Sequence, residues 1–145
     1  MSGSEKVRES RTEETPSRAW LMGFAGWIFP GGGHLLQRKW LRAALLGGTV
    51  WACFLFGLVM GGHMFSPAPS DQGSSAWLQI PPMVANLGSG VLYIGSWLAG
   101  IGFADDPERA ALATYEYGNT FLLIAGLLNY LSMLDAFDIS AGRKS

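Results

Sequence analysis

The run AALLGGTVWACFLFGLVMGG, from Ala43 to Gly62, holds twenty residues and no charge. At 1.5 Å per residue a helix of that length is about 30 Å long, which matches the hydrocarbon core of a bilayer. Arg38, Lys39 and Arg42 stand directly before it, Trp40 sits where an interfacial aromatic belongs, and His63 closes it. The run predicts a helix that crosses a membrane.

The rest of the chain is consistent with that class. Of 145 residues, 49% are apolar and 14% charged, about half the charge of an ordinary soluble domain. Mean hydropathy is +0.22. Residues 1–18 carry four acids and four bases and read as a solvated polar tail, not as a signal peptide. Next comes a short apolar helix over 16–29, about 21 Å long, which Pro30-Gly31-Gly32-Gly33 terminates. Beyond the central run, residues 66–75 are a Pro/Ser loop. A third run starts at Pro81-Pro82 and gives a span over Met83–Phe103. Asp105-Asp106-Pro107-Glu108 then opens a short helix to Tyr117, and the last span covers Asn119–Phe137. The expected architecture is an all-α integral membrane bundle with three firm spans and a short leading helix that crosses or re-enters. Residues 19–138 form the membrane domain and 139–145 a short polar tail.

Two topologies fit. If the leading helix crosses, four bases (Arg38, Lys39, Arg42, Arg109) oppose six. If it turns back at the glycines, eight oppose two, which the positive-inside rule favours more sharply. Either choice places His63 with Asp135 and Asp138 at one side, and His34 with the Arg38–Arg42 cluster at the other.

Three groups of residues invite a functional reading. Gly31, Gly32, Gly33 and His34, with Arg38, Lys39 and Arg42, form either a tight helix connection or a site for an anion or lipid headgroup. A phosphate loop would need a preceding strand and a Gly-Lys-Ser/Thr ending, and both are missing. Ala85, Gly88, Gly95, Ala99 and Gly102 form a small-residue stripe along one face of the third run, with glycines every seven residues. Such a stripe permits close helix packing within the chain, with a membrane protein partner or in a homo-oligomer. The last span answers with Leu122, Ala125, Asn129, Ser132 and Ala136 on one face, and this face is expected to pack on the stripe. Leucine at Gly95 would then destabilise the fold or the assembly. His63, Asn129, Asp135 and Asp138 are candidates for a polar or ion site, although the two aspartates serve equally well as caps or as partners of Arg143 and Lys144.

The turn Phe29-Pro30-Gly31-Gly32-Gly33-His34, followed by Arg38-Lys39, resembles the glycine-rich turn of the two-transmembrane-helix domain family. The match departs at Leu35-Leu36, where an aromatic pair is expected, and at Gln37, where a glycine is expected. It is more similar to an uncharacterised group of small bacterial membrane proteins with a Pro-Gly-x-Gly-His turn. That group also ends in a pattern like Leu128-Asn129, Leu134-Asp135-Ala136 and Gly142-Arg143-Lys144. The resemblance implies a bacterial inner-membrane location and a helical fold, and it implies no chemistry.

Net charge is −1, so no electrostatic footprint for nucleic acid exists. No nucleophile–base pair stands out, and no cofactor is expected, since the two histidines flank opposite ends of the central run. The expected role is a small structural or interaction subunit in the lipid bilayer, not an enzyme. The alternative is lipid or ion binding through the glycine turn or the aspartate pair.

Overall fold

The computed structural model describes residues 17–66, 76–104 and 106–143. The polar tail before residue 17, the loop over 67–75, Asp105 and Lys144 lie outside these residues. Helices make up the fold, and no strand occurs among the described residues. In chain order they are α1 (17–28), α2 (Gly32–Leu36), α3 (Trp40–Val59), a single 3-10 turn (Ala76–Gln79), α4 (Ile80–Leu87), α5 (Val91–Ala99), α6 (Pro107–Ala110) and α7 (Tyr115–Ser140).

Two helices, α3 and α7, are long and apolar enough to cross a membrane, with mean hydropathy 1.7 and 1.6 over their most apolar windows. Three firm spans were expected, and the third is not there. Residues 83–103 break at Gly88-Ser89-Gly90 into α4 and α5, of eight and nine residues. Gly90 takes φ +59, a conformation closed to most side chains, and its backbone touches the carbonyls of Trp27 and Ile28. An apolar run therefore marks two half-length helices, not one continuous helix.

The antiparallel pair of α3 and α7 organises the chain. At one end Gly62 and Gly118 lie backbone on backbone, and Thr114 Oγ1 donates to the Met60 carbonyl at 3.0 Å. At the other end Arg42 of α3 approaches Asp135 of α7 at 3.9 Å. The second end also carries His34 and is called the basic end below.

Both remaining segments reach into the pair and return. Helix α1 starts at the basic end, where the Trp20 and Phe137 rings meet at 5.2 Å, and runs inward until the Trp27 carbonyl reaches Asn129. The chain then reverses at Gly31, which takes φ +84 and lies close against Gly47 of α3. Helix α2 leads back to Asp135 through His34. The leading helix thus folds back instead of running on across the pair.

The second segment leaves the opposite end near Phe65, meets the centre at Gly88–Gly90, and is back where Met64 N–H donates to the Gly102 carbonyl at 2.7 Å. It makes no net passage from end to end. Its centre packs on Gly126 of α7, which has no room for a methyl group beside the Ala85 carbonyl. Apart from the single turn of α6, each half of the chain therefore has the same order: a helix, a glycine turn, a short helix, then a long helix with a glycine under the turn. The long helices of the two halves run in opposite directions.

The face expected on the last span is buried throughout: Leu122, Ala125, Asn129, Ser132 and Ala136 are all at most 2% exposed. Leu122 and Ala125 join Val50, Phe54, Met64, Leu92 and Tyr93 in the apolar core, which fills the half away from the basic end. The helix expected over 107–117 is one turn long. Asp106 caps it by accepting from Glu108 N–H at 3.0 Å, and α7 begins earlier than expected, at Tyr115.

Candidate functional site

Asn129 lies about 21 Å along α7, near the middle of a helix about 39 Å long. Its Nδ2 donates to the Trp27 carbonyl at 2.9 Å and to the Gly88 carbonyl at 2.8 Å. These two acceptors fix the orientation of the amide, because its oxygen would repel both. The two carbonyls sit at the inner ends of α1 and α4, where helical carbonyls run out of intrahelical partners. One side chain therefore ties both inward-reaching segments to α7.

Several side chains on or next to the residues of this junction carry polar groups without a protein partner. Asn129 Oδ1, Asn86 Oδ1 and Nδ2, Ser89 Oγ, Ser132 Oγ and Trp27 Nε1 are all buried and unbonded. Asn86 and Ser89 flank Gly88 in sequence, and Ser132 lies one turn beyond Asn129. Hydrophobic burial cannot explain these groups, because an unsatisfied buried polar atom destabilises a fold.

At the basic end, fully buried His34 has its Nε2 at 3.0 Å from Asp135 Oδ2. The bond joins Nε2 to the carboxylate and leaves Nδ1 facing away from it. Nδ1 has no partner and is buried, as is Gln37 Oε1, while Gln37 Nε2 donates to the Ala136 carbonyl at 2.7 Å. The contacts latch α2 to the last turns of α7. Gly31, Gly32 and Gly33 are buried in helix packing, with Gly33 against Ala136 and the Met22 carbonyl. Arg38 and Arg42 are exposed, and Lys39 is half-buried. Arg38 adopts φ +59, the one left-handed non-glycine among the described residues.

His63 does not join the aspartates. Its backbone N–H donates to Asn119 Oδ1 at 2.6 Å, sixteen residues from Asp135 on α7 and so about 24 Å along the helix. The error has a single origin. The missing third crossing reverses the side of everything after it, so Asp135 meets His34 instead. Asp138 lies 3.6 Å from Arg143. His63 instead lines an open pocket of about 210 Å³ with Gly61, Gly62, Asp106, Arg109 and Tyr115.

The small-residue stripe is divided by the break. Ala85 and Gly88 are buried against α7, and Gly102 lies against Met64 and Leu58. Gly95 and Ala99 are exposed, and a methyl group at Gly95 would touch nothing. They line an open apolar groove of about 330 Å³ between α3 and α5 with Trp51, Leu55, Leu58 and Ile101.

Sequence reasoning missed Trp27, Gln37, Asn86 and Ser89. The signal for the last two was present: Ser89-Gly90 is a turn dipeptide, and Asn86 stands just ahead of it. Trp27 and Gln37 carried none.

Residues 21–145 match a family of unknown function, DUF6677, and the chain belongs to that family. No curated protein and no solved structure matches it.

Proposed function

We propose that this chain is an integral membrane protein of the bacterial inner membrane that crosses the bilayer twice and binds a small hydrogen-bonding solute where its two re-entrant segments meet. Support for the membrane setting comes from what α3 and α7 leave uncovered. Only 28% and 33% of their apolar windows are buried, whereas a soluble core helix of this hydropathy is mostly covered. Leu41, Leu45, Phe56, Val59, Leu131 and Leu134 all face outward. Trp20 and Trp40 stand at the basic end, as interfacial aromatics do. Of the described bases, Arg18, Arg38, Lys39, Arg42 and Arg143 belong to that end and Arg109 to the other. The positive-inside rule then turns the basic end to the cytoplasm.

The carrying observation is the Asn129 junction. Backbone that leaves helical geometry inside a bilayer is tolerated where protein covers it or a polar cavity faces it. Helices broken at mid-depth, in two halves of opposite direction, are the arrangement by which membrane proteins build central binding sites. A scaffold gains nothing from breaking two helices around buried, unbonded polar groups.

Trp27, whose carbonyl Asn129 holds and whose Nε1 is buried without a partner, serves as the reporter. In detergent micelles, 15N-indole spectra should be titrated with two small neutral solutes, urea and glycerol. The Trp27 resonance, assigned through Trp27→Phe, is expected to shift saturably with at least one of them and to stop responding in Asn129→Leu. A resonance that no solute moves overturns the reading.

One observation favours the second reading, an interaction subunit. The groove at Gly95 and Ala99 is flanked on the same surface by Trp97 and Leu98, both exposed. A groove and a ridge on one face suit a two-fold contact with a second copy of the chain. Cross-linking of Gly95→Cys in a Cys53→Ala background tests it, with dimers absent if the reading is wrong.

A further inference from the structure

Buried polar side chains are not spread evenly along α7. From the centre toward the basic end the helix carries Asn129, Ser132 and Asp135 in successive steps of about 4.5 Å, winding about a third of a turn from the first to the last. Their exposure rises from 0% at Asn129 and 2% at Ser132 to 26% for the Asp135 side chain. Beside Asp135 and Ala136, His34 of α2 and Gln37 at its C-cap contribute Nδ1 and Oε1, both buried without a hydrogen-bond partner. In the other direction Val50, Phe54, Met64, Leu92, Tyr93, Leu122 and Ala125 pack into a largely apolar plug, each at most 9% exposed, with the Tyr93 hydroxyl donating to the Phe65 carbonyl and Ser96 buried in the same half. A polar line therefore connects the junction to one end of the molecule, and an apolar seal separates it from the other.

The chemistry of the line selects its occupant. A cation would be served by acceptors alone, yet Trp27 Nε1 and Asn86 Nδ2 are donors. An anion would be served by donors alone, yet Asn129 Oδ1 and Gln37 Oε1 are acceptors. Ser89 and Ser132 both donate and accept. A neutral molecule that does both is what such a set satisfies. Size is limited too, since Gly88, Gly90 and Gly126 sit backbone on backbone with no space for a methyl group. Water fits both demands.

We propose that water enters from the basic end along Asp135, Gln37, His34 and Ser132 as far as Asn129, so that the central site opens to one side of the membrane only. This rests on the membrane reading above and adds which side has access and through which residues. The apolar plug keeps the opposite side closed in this conformation, so the path is a half-channel, not a pore.

Thiol chemistry distinguishes a wet position from a dry one, because the thiolate is the reactive species and forms where water reaches it. In a Cys53→Ala background reconstituted in vesicles, single cysteines are placed at Ser132, Gln37 and Leu122. Silver ion in nitrate buffer is added to one side, and the thiols left are counted with a maleimide after denaturation. Ser132→Cys is close to isosteric, and Gln37→Cys gives a second reading of the same path should the first not fold. Both are expected to be blocked at least tenfold faster than Leu122→Cys, and from the basic side alone. Cysteines at Ser132 and Gln37 as slow as the one at Leu122, or equally fast from both sides, overturn the proposal. Arg143→Cys and Ala110→Cys, probed with a bulky impermeant maleimide, test the premise separately. If they label from the same side, the membrane topology fails. If they label from opposite sides while Ser132→Cys stays inert, the topology stands and the half-channel falls.

Discussion

Asn129→Ala tests the junction most directly. The side chain is fully buried, and its Nδ2 is the donor to the Trp27 carbonyl at 2.9 Å and to the Gly88 carbonyl at 2.8 Å. Removing it strips both acceptors in one step. A buried acceptor left bare costs about 1–3 kcal/mol, so the pair sets a ceiling of about 6 kcal/mol. Side-chain hydrogen bonds between membrane helices average about 0.6 kcal/mol, because separated helices find other partners, which sets a floor of about 1.2 kcal/mol. The two carbonyls belong to segment ends that stay packed in the folded chain, so the expected loss lies well above the floor, at about 2–4 kcal/mol. Reversible unfolding in mixed micelles, followed by far-UV circular dichroism, measures it. Ser132→Ala is the paired control: its hydroxyl is equally buried but holds no protein group, so less than about 1 kcal/mol should be lost. An Asn129→Ala protein within about 0.5 kcal/mol of the parent, or a Ser132→Ala protein just as destabilised, refutes the clamp.

Three further outcomes follow from glycine and backbone geometry. Gly126→Ala places a methyl group on the Ala85 carbonyl and should cost at least about 3 kcal/mol or abolish folding, while Gly48→Ala, with open space around it, should be neutral or gain up to about 1 kcal/mol from helix propensity; the same unfolding assay compares them. Gly95→Leu should leave unfolding within about 1 kcal/mol of the parent and alter self-association alone, as read by sedimentation in detergent, because nothing lies within 4 Å of the added carbon. Arg38→Gly should raise stability by about 1 kcal/mol by releasing a left-handed residue at the α2–α3 corner, and an unchanged midpoint would show that its φ of +59 carries no strain.

The last helix was legible in the sequence because its signal is periodic. Small and polar residues at 125, 129, 132 and 136 interrupt an apolar run at helical spacing, and such residues have no reason to face lipid. The third run was not legible in the same way. Hydropathy measures how long the chain stays apolar, not whether it stays helical, and a glycine inside such a run reads as a packing notch or as a break with equal ease. Gly88 is both: it seats α4 on Gly126, and it begins the turn that ends α4. Gly95 shares its seven-residue register only if the helix is continuous, and the break at Gly90 puts it on an exposed surface instead. Reading that one break correctly would also have brought His34 to Asp135, since the pairing depends on how many times the chain has crossed.

Asn129 has two ends with different tasks, and that division couples the site to the fold. Its Nδ2 holds the inner ends of α1 and α4, while its Oδ1, rigidly placed 120° away on the same planar group, is the unbonded atom at the head of the polar line. A molecule that hydrogen-bonds to Oδ1 draws electron density from the amide and makes Nδ2 a stronger donor, since hydrogen bonds in a chain polarise one another. On the proposed reading, occupancy from the basic side would tighten the contact between the two inward-reaching segments and α7, and emptying the site would loosen it. The plug beyond the junction is built partly from α5, through Leu92 and Tyr93, and α5 follows directly from the segment that Asn129 clamps at Gly88. The residue proposed to receive the solute would then also hold the seal behind it in register.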